Sequence, residues 1–194
     1  MKANPDWKWL NLVSFFEALR PDDQIDKVYY FTALVEPERT RSSKRDRQKI
    51  YFRALESNPK IEIVYGRYRL RNVRCGATCR ERYQTPEEKK TDVNIAIRII
   101  DDALNDRVDR IIVVSGDSDL EPAVEYVRRN FPKVKVSVYV PQLPSNRTRR
   151  DNRHYSQLGA TVKLLPLGEI LNHQLPDPIT HANGQTLNRP TEWR

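Results

Sequence analysis

No stretch of this chain approaches the eighteen or more consecutive apolar residues that a membrane-spanning helix needs, and the opening MKANPDWKWLNLV lacks a secretory-signal pattern. Two cysteines are too few for a disulfide-stapled scaffold; with no secretion signal they predict a reducing, cytoplasmic setting. Their spacing, Cys75-x3-Cys79, misses the Cys-x2-Cys pattern of most zinc sites, and His154, His173 and His181 lie far away in sequence. Reduced cysteines in a turn are the simpler reading. The scattered histidines also leave a Cys–His nucleophile without a supporting motif. No internal repeat is visible.

What is present is a segregated charge. The chain has 194 residues, enough for one domain with decorations, and a formal net charge of +8. Three runs, Arg39–Arg53, Arg67–Arg82 and Arg147–Arg153, hold 17 of the 34 Lys/Arg but only 3 of the 26 Asp/Glu. The remainder is therefore net acidic. A solvated surface does not require such separation, which is the electrostatic footprint expected of a polyphosphate partner. The bland reading of any single run is a solvated loop.

Apolar periodicity predicts a helix over residues 7–20, stopped by Pro21, and a buried strand at Lys27–Val35. A helix at Arg47–Ser57 and a strand at Lys60–Gly66 follow, with Ile61, Ile63 and Tyr65 on one face. Residues 67–90 are so charged that they read as an irregular excursion. Thr91–Asp106 is the strongest helix, with Val93, Ala96, Ile97, Ile100 and Leu104 at inward spacing. The strand Arg110–Val114, the helix Glu121–Asn130, the strand Val134–Val140 and an edge strand within Gly159–Leu165 complete the pattern. Strands alternating with helices predict an α/β fold with a mostly parallel sheet and helices on both faces. The expected organisation is a domain over residues 1–167 and a carboxyl-terminal extension, 168–194, wrapping the body.

One stretch carries chemistry. In IIVVSGDSDLEPAV, residues 111–124, a buried strand runs straight into Ser-Gly-Asp-Ser-Asp. Ligands of open α/β sheets sit outside the carboxyl ends of strands, which is where Asp117 and Asp119 fall. Gly116 is expected to turn the backbone sharply there. Asp92, in the first turn of the preceding helix, returns to the same rim. Two readings compete. Asp119 is a good N-cap for the next helix, and Asp92 suits a helix first turn. Alternatively, the three carboxylates hold a hard cation, Mg²⁺ or Mn²⁺, for cleavage of a phosphodiester. Asn94 is expected to orient a water or phosphate, and Ser115 or Ser118 to donate a hydrogen bond. Arg45, Arg47, Arg147, Arg149, Arg150 and Arg153 are the candidate RNA contacts, and Tyr68, Tyr83 and Tyr155 are candidates to stack on unpaired bases.

The segments EEKKTDVNIAIRIIDDAL and RIIVVSGDSDLEPAV closely resemble the NYN family of PIN-like domains, its LabA-like branch, and the resemblance extends through KWLNLVSFFEAL, YYFTALV and the closing RPTEWR. It implies a Rossmann-like parallel sheet and a Mg²⁺- or Mn²⁺-dependent ribonuclease site, with Asp92, Asp117 and Asp119 at the metal and Asn94 matching the motif. It departs from the family at the start: the usual opening strand, ending in Asp-Gly-x-Asn, is absent before the Lys-Trp-Leu helix. Three readings stay open there: a start further upstream, another segment in that place, or a non-catalytic module binding RNA or protein. A homodimer or a protein partner is equally open.

Overall fold

The computed structural model describes residues 5–34, 42–76, 81–141 and 153–193. Compactness divides the chain into Met1–Thr91 with Glu169–Arg194, and Asp92–Gly168. Among the described residues, no helix is long and apolar enough to cross a membrane.

In the first unit a 3-10 turn, Pro5–Trp9, precedes helix α1 (Leu12–Leu19), whose first turn is capped by the Asn11 side chain accepting from the Ser14 amide at 3.2 Å. Strand β1 (Val28–Thr32) is followed by helix α2 (Ser42–Leu55) and strand β2 (Ile61–Tyr65), which pairs parallel to β1 with Val28 opposite Ile61. Helix α2 starts five residues before the expected Arg47, because its polar first turn carries no apolar periodicity. Tyr65 is also nearly half exposed rather than inward with Ile61.

The core of this unit is aromatic. Trp9 and Leu55 are fully buried, and the ring of Trp193 lies 6.5 Å from that of Trp9 and 6.3 Å from that of Tyr51. Burying each such side chain contributes about 1.5–3 kcal/mol. The carboxyl-terminal segment is tied to the amino-terminal one by backbone bonds as well: Asn11 donates to His173 at 2.8 Å and Leu175 to Trp9 at 2.9 Å. Within the tail, β8 (Ile179–Thr180) and β9 (Thr186–Leu187) form a short antiparallel pair.

The charged excursion is ordered. Strand β3 (Arg67–Arg74) pairs antiparallel with β4 (Arg82–Lys89), from Arg67 opposite Lys89 to Arg74 opposite Arg82. The Gly66 amide donates to Thr32 at 2.7 Å at its base, where a Cβ would sit 2.6 Å from the Thr91 hydroxyl and 3.0 Å from the Lys89 carbonyl, so a larger residue would displace its neighbours.

The second unit holds α3 (Thr91–Leu104), β5 (Arg110–Val114), α4 (Glu121–Asn130), β6 (Lys135–Pro141), α5 (Arg153–Gln157) and β7 (Thr161–Leu165). Strands β5, β6 and β7 form a parallel sheet with β6 in the middle. Central placement explains why Val136 to Val140 are buried without interruption. Helix α3 faces its core with Ile99 and Ala103, whereas Val93, Ile97 and Leu104, expected inward, are about 60% exposed or more. The apolar stripe is wider than the face the sheet covers. Asp101 and Asp102, unfavourable beside the negative end of the helix dipole, are offset by Arg107 at 2.6 and 3.3 Å and by Arg98.

Candidate metal centre

Between α3 and β5 the chain reverses through a short turn in which Asp106 adopts a left-handed backbone, φ 53°. That reversal carries the first turn of α3, and with it Asp92, to the carboxyl end of β5. Beyond β5, Ser115 Oγ accepts from the Asp117 amide at 3.1 Å. Asp117 then takes an extended conformation, and its Oδ1 accepts from the Asp119 amide at 3.1 Å, capping the 3-10 turn Ser118–Leu120 that runs into α4. The cap is thus Asp117 and not Asp119, contrary to expectation; the inserted 3-10 turn moves the helix start, and the N-cap of α4 itself is Leu120, which makes no side-chain cap. A carboxylate has two oxygens, so capping through Oδ1 is compatible with ion binding through Oδ2. Gly116 does not adopt a left-handed φ; its role is clearance, since a Cβ would lie 3.3 Å from Val140.

Asp92, Asp117 and Asp119 each offer a carboxylate oxygen, and these oxygens lie within 4.8 Å of one another on the exposed rim. Two oxygens on opposite sides of a bound Mg²⁺ are separated by about 4.2 Å, twice its bond length. The spacing of the three carboxylates is thus close to what one such ion would need. The donors are hard anionic oxygens, the type that Mg²⁺ and Mn²⁺ select, and the exposed position leaves room for waters or phosphate oxygens to complete the coordination. Among the described residues, no hydrogen bond or ion pair holds the Asp119 side chain.

Tyr155 supports this loop from beneath. It is fully buried on α5, and its hydroxyl donates to the Asp117 carbonyl. Burial, then the charges of Glu121, Asp117 and Asp119, push its pKa up to about 12, so it remains a donor throughout the physiological range. A buried ring cannot stack on bases, so the expected role for Tyr155 does not stand. Its position just past the Arg147–Arg153 run, where charge dominates the local pattern, hid this packing role.

The other candidates are dispersed. Asn94 is half-buried, two positions from Asp92 and so about 200° around the α3 axis. Arg45 is half-buried in α2. Arg47 is paired with Glu192 at 2.6 Å; the Glu192 carboxyl is held below its usual range by its own backbone and by this guanidinium. Arg147, Arg149 and Arg150 lie outside the described residues, as does Cys79, and Arg153 begins α5. Cys75 is half-buried and unpaired with any described cysteine.

Comparison with known proteins gives two findings. The NYN domain family matches residues 3–158. A curated protein, 6-hydroxy-3-succinoylpyridine 3-monooxygenase HspA of Pseudomonas putida (strain DSM 28022 / S16), is 27% identical over 222 aligned residues, covering 96% of this chain and 69% of that protein. No solved structure matches.

Proposed function

Because this chain belongs to the NYN domain family, a family of PIN-like nuclease domains, we propose that it is a ribonuclease that cleaves RNA phosphodiester bonds with Mg²⁺ or Mn²⁺ held by Asp92, Asp117 and Asp119. The convergence of these three carboxylates at the end of β5 carries the proposal. When bound there, a divalent cation supplies a water of lowered pKa and neutralises charge growing on the phosphate. Asp92 approaches from the helix, and Asp117 and Asp119 approach from the strand-end turn. Tyr155 keeps that turn in register through the Asp117 carbonyl. Arg45, Arg47, Arg147, Arg149, Arg150 and Arg153 supply positive charge for single-stranded RNA, and the protein works in the cytoplasm.

The test is incubation of end-labelled single-stranded RNA with the protein in Mn²⁺ and in EDTA. Cleavage in Mn²⁺, lost in EDTA and in Asp117→Asn while that variant still binds RNA, is expected. Cleavage indifferent to both would overturn the proposal. RNA held but never cut selects the alternative, a non-catalytic RNA-binding module. The likeness to a monooxygenase favours one further reading, oxidation of an aromatic substrate. Oxygen uptake with a reductant and 6-hydroxy-3-succinoylpyridine, with RNA left intact, would select that.

A further inference from the structure

The β3–β4 hairpin has a chemistry that its packing does not use. Its eight-residue strands extend about 26 Å, and most of their side chains are exposed on both faces. A two-stranded ribbon with so little to bury gains little from the hydrophobic effect. Its two faces differ. In the observed register, Arg67, Arg69 and Arg71 share one face with Lys89, Glu87 and Tyr83. Glu87 is occupied by Lys89 at 2.9 Å and Arg71 at 3.8 Å. Among the described residues, neither Arg67 nor Arg69 has a carboxylate within ion-pair distance. This face is net +3, whereas the other carries Arg74 and Arg82 against Glu88, net +1.

Alternate residues of a strand repeat every 6.8 Å or so, a spacing comparable with that of successive phosphates along one nucleic-acid strand. Three guanidiniums in such a row can each take a phosphate. Tyr83, about half exposed on the same face, offers a ring for a base, which requires a base that is not already paired. We propose that the Arg67–Arg69–Arg71 face of this hairpin is a binding arm for single-stranded RNA, gripping the backbone through its arginines and stacking one base on Tyr83. The inference rests on the ribonuclease reading for its choice of RNA, but binding and cutting are separate observables.

The experiment is fluorescence anisotropy with labelled oligouridylate and the full chain in EDTA, where nothing is cut. Each phosphate contact to a single strand contributes about 0.7 to the salt slope, so the triple variant R67Q/R69Q/R71Q should lose about 2 from it. Its deficit against wild type should then shrink about 18-fold between 50 and 200 mM salt. R67K/R69K/R71K, which keeps the charge, should keep the slope. Tyr83→Ala should weaken binding at least about fivefold and Tyr83→Phe should not. An unchanged slope in the glutamine variant overturns the proposal, as does an equal loss in the lysine variant or in R74Q/R82Q on the opposite face. Failure of the wild type to bind RNA at low salt also overturns it, and leaves an acidic protein surface as the partner of this arm. Binding by the arm without cleavage in Mn²⁺ upholds this inference and removes only the nuclease reading.

Discussion

Replacing Asp119 by Asn should stabilise the metal-free protein and destabilise the metal-bound one. Asp119 caps nothing, so its loss as a charge is the main change. At the observed 4.8 Å limit, two unit charges in water repel by about 0.9 kcal/mol. Screening at 0.1 M ionic strength, with a Debye length of about 10 Å, leaves roughly 0.5 kcal/mol per pair. The variant removes two of the three pairs, about 1 kcal/mol, and loses the favourable position of the Asp119 charge at the start of the turn leading into α4, about 0.3 kcal/mol or more, so the net gain is at most about 0.7 kcal/mol and the Tm in EDTA rises by up to about 2–3 °C. Adding Mn²⁺ at a hundred times its Kd stabilises the wild type by about 2.7 kcal/mol and the variant by much less. The order of stabilities therefore inverts between the two buffers. Thermal unfolding of both proteins, in EDTA and in Mn²⁺ at fixed ionic strength, reads this directly. A variant less stable than wild type in EDTA, with an equal Mn²⁺ gain in both, would refute the reasoning.

Tyr155→Phe, which keeps the ring but strips the Asp117 carbonyl of its donor, should cost about 1 kcal/mol and weaken Mn²⁺ binding. Because the folded pKa of Tyr155 is raised to about 12, its contribution is intact below the unfolded value near 10 and is lost as pH rises through 12. The unfolding free energy of the wild type should fall there by about 2 kcal/mol more than that of Tyr155→Phe, measured by urea unfolding. Gly159→Ala, at φ +75° and with its Cβ 2.9 Å from Arg128 Nη2, should cost about 1–2 kcal/mol in the same assay. Trp9→Ala removes a fully buried ring and its hydrogen bond to the Pro176 carbonyl, a loss of about 3–5 kcal/mol.

The strand-to-turn passage at residues 111–119 was legible because burial and chemistry change within one step of the chain: four apolar residues, then the acids. The alternation of helix and strand likewise gave the α/β class and the parallel pairing. The inward face of α3 was not legible, since seven of its apolar residues span too wide an arc to define one phase. The β3–β4 hairpin was hidden because its period of two separates one charged face from another rather than polar from apolar, and Pro86 argues against a strand; a two-stranded ribbon tolerates it because both edges are open. The cap lies at Asp117, two residues before the candidate Asp119, because a 3-10 turn precedes α4. Nor does local pattern reveal that Trp193 packs on Trp9, a contact made only by tertiary folding.

Calorimetric titration with Mn²⁺ tests the central claim most directly. One ion should bind per wild-type chain, and Asp92→Asn, Asp117→Asn and Asp119→Asn should each lose most of that affinity. Retention of the same stoichiometry and affinity in all three would contradict it.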